Sequence, residues 1–154
     1  MSVTAIQIGL DPELIDYSSP DFAQFRGLSK DRLRAANDEN VSALRAAGYQ
    51  VDNCLIDVGA AGVEKARRWL DAKHYDAVLI GAGVRLVASN TLLFESIVNA
   101  AHVAQPSCRF VFNQAAKATP PTTSVVGTPP IRKELCDDRS RRRRPRRGSR
   151  PGRP

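Results

Sequence analysis

The chain has 154 residues, 42% of them hydrophobic, and a formal net charge of +7 at pH 7; that is one domain with material for a core, and it excludes collagenous, disulfide-stapled and wholly disordered classes. The charge is unevenly placed: residues 137–154 hold nine arginines against Asp137 and Asp138, so of 23 basic and 16 acidic residues, 14 of each remain in residues 1–136. The first 136 residues are therefore neutral, and nothing in them calls for an acidic partner.

Cys54, Cys108 and Cys136 show no metal-ligand spacing, and neither a basic-then-apolar leader nor an apolar run near the roughly 20 residues of a membrane span is present. The reading is a reduced, cytoplasmic protein that neither enters nor spans a membrane. With two histidines and scattered cysteines, no metal site is expected, and no motif calls for a cofactor.

In chain order, Val3 to Leu10 (VTAIQIGL) reads as a short apolar strand. The connection Asp11 to Leu28 (DPELIDYSSPDFAQFRGL) is longer than the usual strand-to-helix loop of about 2–6 residues, a length that marks lids or disordered segments. Ser29 then reads as an N-cap, and Leu33, Ala36, Asn40, Ala43, Leu44 and Ala47 approximate a helical stripe ending at Gly48. Val51 to Val58 is the second strand, and Gly59 to Gly62 turns the chain into a helix running to about His74, with Val63, Ala66, Trp69 and Leu70 on its buried face.

Tyr75 to Gly81 (YDAVLIG) is apolar at consecutive positions, the pattern of a strand covered on both faces, as helices cover a parallel sheet. A helix over Thr91 to Ala104 carries Leu92, Leu93, Ile97, Val98, Ala101 and His102 at helical spacing, and Arg109 to Asn113 (RFVFN) reads as a fourth strand. Strands alternating with helices through right-handed crossovers give an α/β three-layer sandwich with a four-stranded parallel sheet. The expected order is 2-1-3-4, as in flavodoxin-like folds, with this domain over residues 1–116.

Ligands of such sheets bind beyond the carboxyl ends of the strands, at the switch point between strands 1 and 3. This places Asp11 opposite Gly81 to Asn90, with Asn113 as a neighbour. Gly81 and Gly83 allow close backbone approach, Arg85 offers a fork for carboxylate or phosphate, and the helix start near Asn90 points free N–H groups the same way, which together describe a site for a small anionic ligand. A second reading stands beside it: the glycines permit a tight turn and Arg85 pairs with Asp16 or Asp21. Asp11 is divided equally between chemistry and the opening of an Asp-Pro turn. Glu95, near a positive helix end, and His74, near a negative one, are accounted for by the helix dipole; Asn99 and His102, at i and i+3, face a ligand on one reading, whereas packing or capping is preferred for His102.

Several site types are excluded by pattern. No G-x-G-x-x-G follows strand 1, where the chain has Gly9-Leu10-Asp11-Pro12, and no P-loop or G-x-S-x-G elbow occurs. A Ser/Thr-rich phosphate loop is missing after strand 1, and Gly81 stands where a receiver domain would carry its aspartate. Cys54, inside an apolar strand, reads as inert packing.

Residues 117–154 are Pro-rich and then Arg-rich and read as a disordered tail. Two functional readings are an arginine arm that grips nucleic-acid phosphates and a nuclear-type basic signal. A third reading is a frameshift: back-translating Lys117 to Gly127 and reading two bases on allows Ser-His-Ala-Ala-Asp-Asp-Ile-Arg-Arg-Trp, the start of an amphipathic helix. On that reading the net charge says nothing about function.

The motifs I-G-L-D-P, A-G-Y before strand 2, D-A-V-L-I-G-A-G-V-R, L-L-F-E-S-I-V-N-A-A-H and F-V-F-N, spread over residues 5 to 113, resemble a widespread family of small uncharacterised α/β proteins of bacteria and fungi, for which no activity is assigned. The resemblance implies a final Asp-rich turn and Trp-containing helix. This chain departs from that pattern, so an uncovered sheet face and self-association as a homodimer are expected. Three functional classes follow: a binder or enzyme of a small anionic metabolite, a non-catalytic protein-interaction domain, and a nucleic-acid binder acting through the arginines.

Overall fold

The computed structural model describes residues 2–23 and 25–112. The expected tail from residue 117, and Asn113 with it, lie outside the described residues. Within them run β1 (Thr4–Leu10), α1 (Lys30–Ala46), β2 (Gln50–Ile56), α2 (Ala60–Ala72), β3 (Ala77–Ile80), α3 (Ala82–Arg85), α4 (Thr91–Ala104) and β4 (Arg109–Phe112), with 3-10 turns at Pro20–Phe22 and Ala88–Asn90.

The four strands form one parallel sheet in the order β2-β1-β3-β4. Alternation along the strands divides the core in two. Ile6, Ile8 and Leu10 of β1, Cys54 and Ile56 of β2, and Val78 and Ile80 of β3 pack with Ala66 and Leu70 of α2 and Leu93, Ile97 and Ala101 of α4. On the opposite face Ala5, Val51, Ala77, Leu79 and Val111 pack with Val41 and Leu44 of α1. Ala77, Leu79 and Val111 are buried on this face.

Local chemistry sets the helix ends. The Ser29 hydroxyl accepts from the Arg32 backbone N–H at 3.3 Å, and α1 stops at Gly48, whose φ of 91° few other residues adopt. Gly62 is required for another reason: a Cβ there would lie 2.0 Å from the Asp57 carbonyl oxygen.

Two expected core positions are corrected. Trp69 is 37% exposed and Leu92 is 74% exposed. In α2 the row Gly62, Ala66, Leu70 faces the sheet, which turns Trp69 to the flank. In α4 the run Leu92-Leu93-Phe94 is apolar at consecutive positions, so spacing alone cannot say which member faces in; Leu93, Ile97, Ala100 and Ala101 do. On α1, Val41 is buried where the stripe had left it out, and Ala47, past the helix end, is exposed.

The long connection after β1 is a packed strap. Rings of Tyr17, Phe22 and Phe25 pack in sequence in tilted pairs with centroids 6.5 and 6.4 Å apart, and Ile15 and Phe22 lie against the core. The Tyr17 hydroxyl donates to the Pro12 carbonyl at 2.9 Å, while Glu13 pairs with Lys30 at 3.0 Å and with Arg34.

The amino end of the sheet is closed by polar groups that have partners. Gln105, 5% exposed, donates through Nε2 to the carbonyls of Leu70 at 2.6 Å and Lys73 at 2.8 Å, and its Oε1 accepts from the Tyr75 N–H at 3.1 Å. One side chain thus satisfies the end of α2 and the entry to β3. Beside it the Asp52 carboxylate accepts from Lys73 Nζ and the Tyr75 hydroxyl, both at 2.8 Å. Burial, and then the bond to Asp52, raise the Tyr75 hydroxyl well above the usual tyrosine range.

Replacing Gln105 by Leu strands those groups, and a single buried unsatisfied group costs about 1–3 kcal/mol. Urea denaturation of Gln105→Leu is expected to show at least that loss; a change under about 0.5 kcal/mol, the scale of an ordinary surface substitution, contradicts the junction.

Two carboxyls at this end sit below the usual range. At Asp52 burial pushes upward, but the bonds from Lys73 and Tyr75 outweigh it; at Asp76 the Thr4 N–H, at 2.8 Å, is the main cause. A folded-state value below the unfolded 3.8 means stability that is complete above that pH and is lost as pH falls through the folded value. Urea midpoints are expected to drop on acidification below about pH 5, and to drop less steeply in Asp52→Asn and Asp76→Asn; equal slopes in all three proteins contradict this.

Candidate functional site

Strands β1, β2 and β3 end together at Leu10, Ile56 and Ile80, and the sequence-predicted residues gather around this carboxyl edge in three separate places. Asp11 opens a turn: its N–H donates to the Ile56 carbonyl at 2.8 Å and its Oδ1 accepts from the Glu13 N–H at 3.0 Å.

Gly81, Gly83 and Asn90 come together around α3. The Gly81 N–H donates to the Ile8 carbonyl at 2.9 Å, and a Cβ on Gly81 would stand 3.4 Å from the Gly9 Cα, so β1 and β3 run on past their ends in close contact. Asn90, 6% exposed, donates through Nδ2 to the Gly83 carbonyl at 3.0 Å. Its amide thereby clips the connection from α3 to α4 and does not cap α4.

Arg85 lies on the β4 side. Its guanidinium carbon sits 5.5 Å from the centroid of the Phe112 ring, a cation–π distance. The two aspartates considered as its partners are engaged in the strap: Asp16 accepts from the Ser18 N–H and hydroxyl, which hold its carboxyl below the usual range, and Asp21 accepts from the Ser89 hydroxyl at 2.7 Å. Glu95, Asn99 and His102 are exposed on α4, and the exposed His74 lies 3.7 Å from Asp76. Burial pushes the Cys54 thiol up to about 11, which leaves it unreactive at neutral pH. Among the described residues no group of three His, Cys, Asp or Glu side chains could hold a metal ion.

One concavity among the described residues is not visible in the sequence pattern. A cleft of about 470 Å³ opens between the first turns of α2 and α4, lined by Val58, Gly59, Glu64, Arg67, Ser89 and Ser96 among others. Gly59, which precedes α2, has no side chain with which to cap the first N–H groups of that helix. The small residues Gly59-Ala60-Ala61-Gly62 were the available signal, yet they read equally as a turn, and Arg67 reads as a solvated face.

On the α1 side of the same edge lies a smaller notch lined by Gln7, Gly9, Asn37, Asn40, Gly81 and Gly83 among others. Here Gln7 Nε2 donates to Asn37 Oδ1 at 3.1 Å. Comparison with protein-family models, curated proteins and solved structures finds no match.

Proposed function

We propose that this chain binds a small anionic metabolite beyond the carboxyl ends of its strands, in the cleft between the starts of α2 and α4. The observation that carries the reading is that cleft of about 470 Å³, within the range of about 300–1,000 Å³ usual for small-molecule sites. An uncapped helix start favours negative charge, Arg67 supplies a cation, and Ser96 supplies a hydroxyl donor, the Ser89 proton being given to Asp21. Glu64 shares the lining and favours a ligand with a donor group beside its anionic one. The β2-β1-β3-β4 order supports a flavodoxin-like assignment, in which ligands lie at this edge. We also place the chain, on its motifs, with the family that it resembles, and in the cytoplasm, a placement that the free thiols Cys54 and Cys108 support. Arg85, Gly81 and Gly83 remain secondary candidates for ligand contact.

A protein-interaction surface is the second reading, favoured by the exposure of Leu92 and Val58 at the cleft, 74% and 46%. Nucleic-acid binding rests on the arginines of residues 139–153 alone.

Thermal denaturation with inorganic phosphate and with O-phosphoethanolamine separates these readings. Ligand at about 100 times Kd stabilises by about 2.7 kcal/mol; the melting temperature is expected to rise, Arg67→Ala to abolish the rise and Arg85→Ala to retain it. No rise with either compound, or a rise undiminished in Arg67→Ala, contradicts the proposal.

A further inference from the structure

The notch on the α1 side is separate from the α2/α4 cleft, because Ala5, Gln7 and Gly9 alternate with the β1 residues that face α2 and α4. Gln7 lies in the middle of a central strand, paired to β2 on one side and β3 on the other, and is 2% exposed. Its Nε2 donates to Asn37 Oδ1 at 3.1 Å and reaches Asn53 Oδ1 at 3.4 Å. Gln7 Oε1 and Asn37 Nδ2 are buried with no hydrogen-bond partner. A carboxamide is a costly occupant of this position, where a leucine would fill the same space, and unmet valences add to that cost.

The surplus is one acceptor and one donor. Turning both amides over leaves the same inventory, with the donor now on Gln7 and the acceptor on Asn37. Gln7 and Asn37 both line a notch of about 30 Å³, enough for a hydroxyl-sized group. Three of its lining residues are glycines, Gly9, Gly81 and Gly83, and a Cβ on Gly9 would stand 3.4 Å from Asn37 Oδ1.

We propose that this notch takes one hydroxyl of a polyol or sugar-like ligand, whose single oxygen donates to Gln7 and accepts from Asn37. A hydroxyl meets both demands through one heavy atom, whereas a carboxylate or phosphate oxygen offers no donor. Asn40 and Gly83, which also line the notch, are placed to meet the rest of the ligand.

The test is a titration of the full chain, labelled with nitrogen-15, following the side-chain amide signals of Gln7 and Asn37 by NMR with D-ribose, glycerol and acetamide in turn. Ribose or glycerol is expected to shift both signals saturably. Asn37→Ala is expected to weaken binding roughly tenfold, the factor given by one lost hydrogen bond of ordinary strength, and Arg67→Ala to leave it unchanged, so that failure here is distinguishable from failure of the anionic cleft. Signals that stay fixed at high millimolar ribose and glycerol, with a crystal structure showing an ordered water alone in the notch, overturn the proposal. A response to acetamide without a response to the polyols overturns it as well.

Discussion

Everything in this molecule depends on β1 and β3 lying side by side with both faces of each strand buried. Ile6, Ile8, Val78 and Ile80 are fully buried against α2 and α4, while Ala5, Ala77 and Leu79 are buried on the α1 face. Strands covered twice leave little room for polar side chains; Gln7 is buried in the middle of β1, and other polar groups gather at the two ends of the sheet. The ends then solve the problem differently. At the amino end Gln105, Asp52 and Asp76 find partners within the protein. At the carboxyl end the starts of α2 and α4 bound a cleft on one side of the sheet, and Gly9, Gly81 and Gly83 line a notch on the other.

That contrast organises the functional argument. A group with a full set of partners contributes to stability and reports on pH, as Asp52 does through Lys73 and Tyr75. A helix start without a side-chain cap, or a buried amide with open valence, has its demand still unmet inside the protein. Such demands cost free energy in the folded state, and in an α/β sheet they fall where ligands bind. The two concavities differ in chemistry: Arg67 and the α2 start favour negative charge, whereas the Gln7 and Asn37 amides are neutral.

The fold was legible because its signals are long and redundant. The consecutive apolar run at Ala77 to Ile80, the stop at Gly48 and the cap at Ser29 each carry a local physical reason, and the strand order follows from alternating strands and helices. Side-chain detail was less legible. Trp69 and Leu92 were misplaced because a helix row is decided by which neighbours pack on it, and Gly62 to Leu70 left Trp69 outside. For the site, the bonds that Asn90 and Asp11 make to backbone depend on how the chain turns, which spacing does not reveal. The α2/α4 cleft joins segments some thirty residues apart, from Val58 to Arg67 and from Ser89 to Ser96, and no local pattern announces such a meeting.

The measurement that addresses the central claim most directly is a map of backbone amide shifts over the full chain on addition of inorganic phosphate. The account predicts saturable shifts concentrated at Gly59 to Val63 and at Ser89 to Leu93, with the Arg67 side chain responding at the same concentration. Shifts confined to the arginines after residue 138, or no saturable shift anywhere, would contradict it.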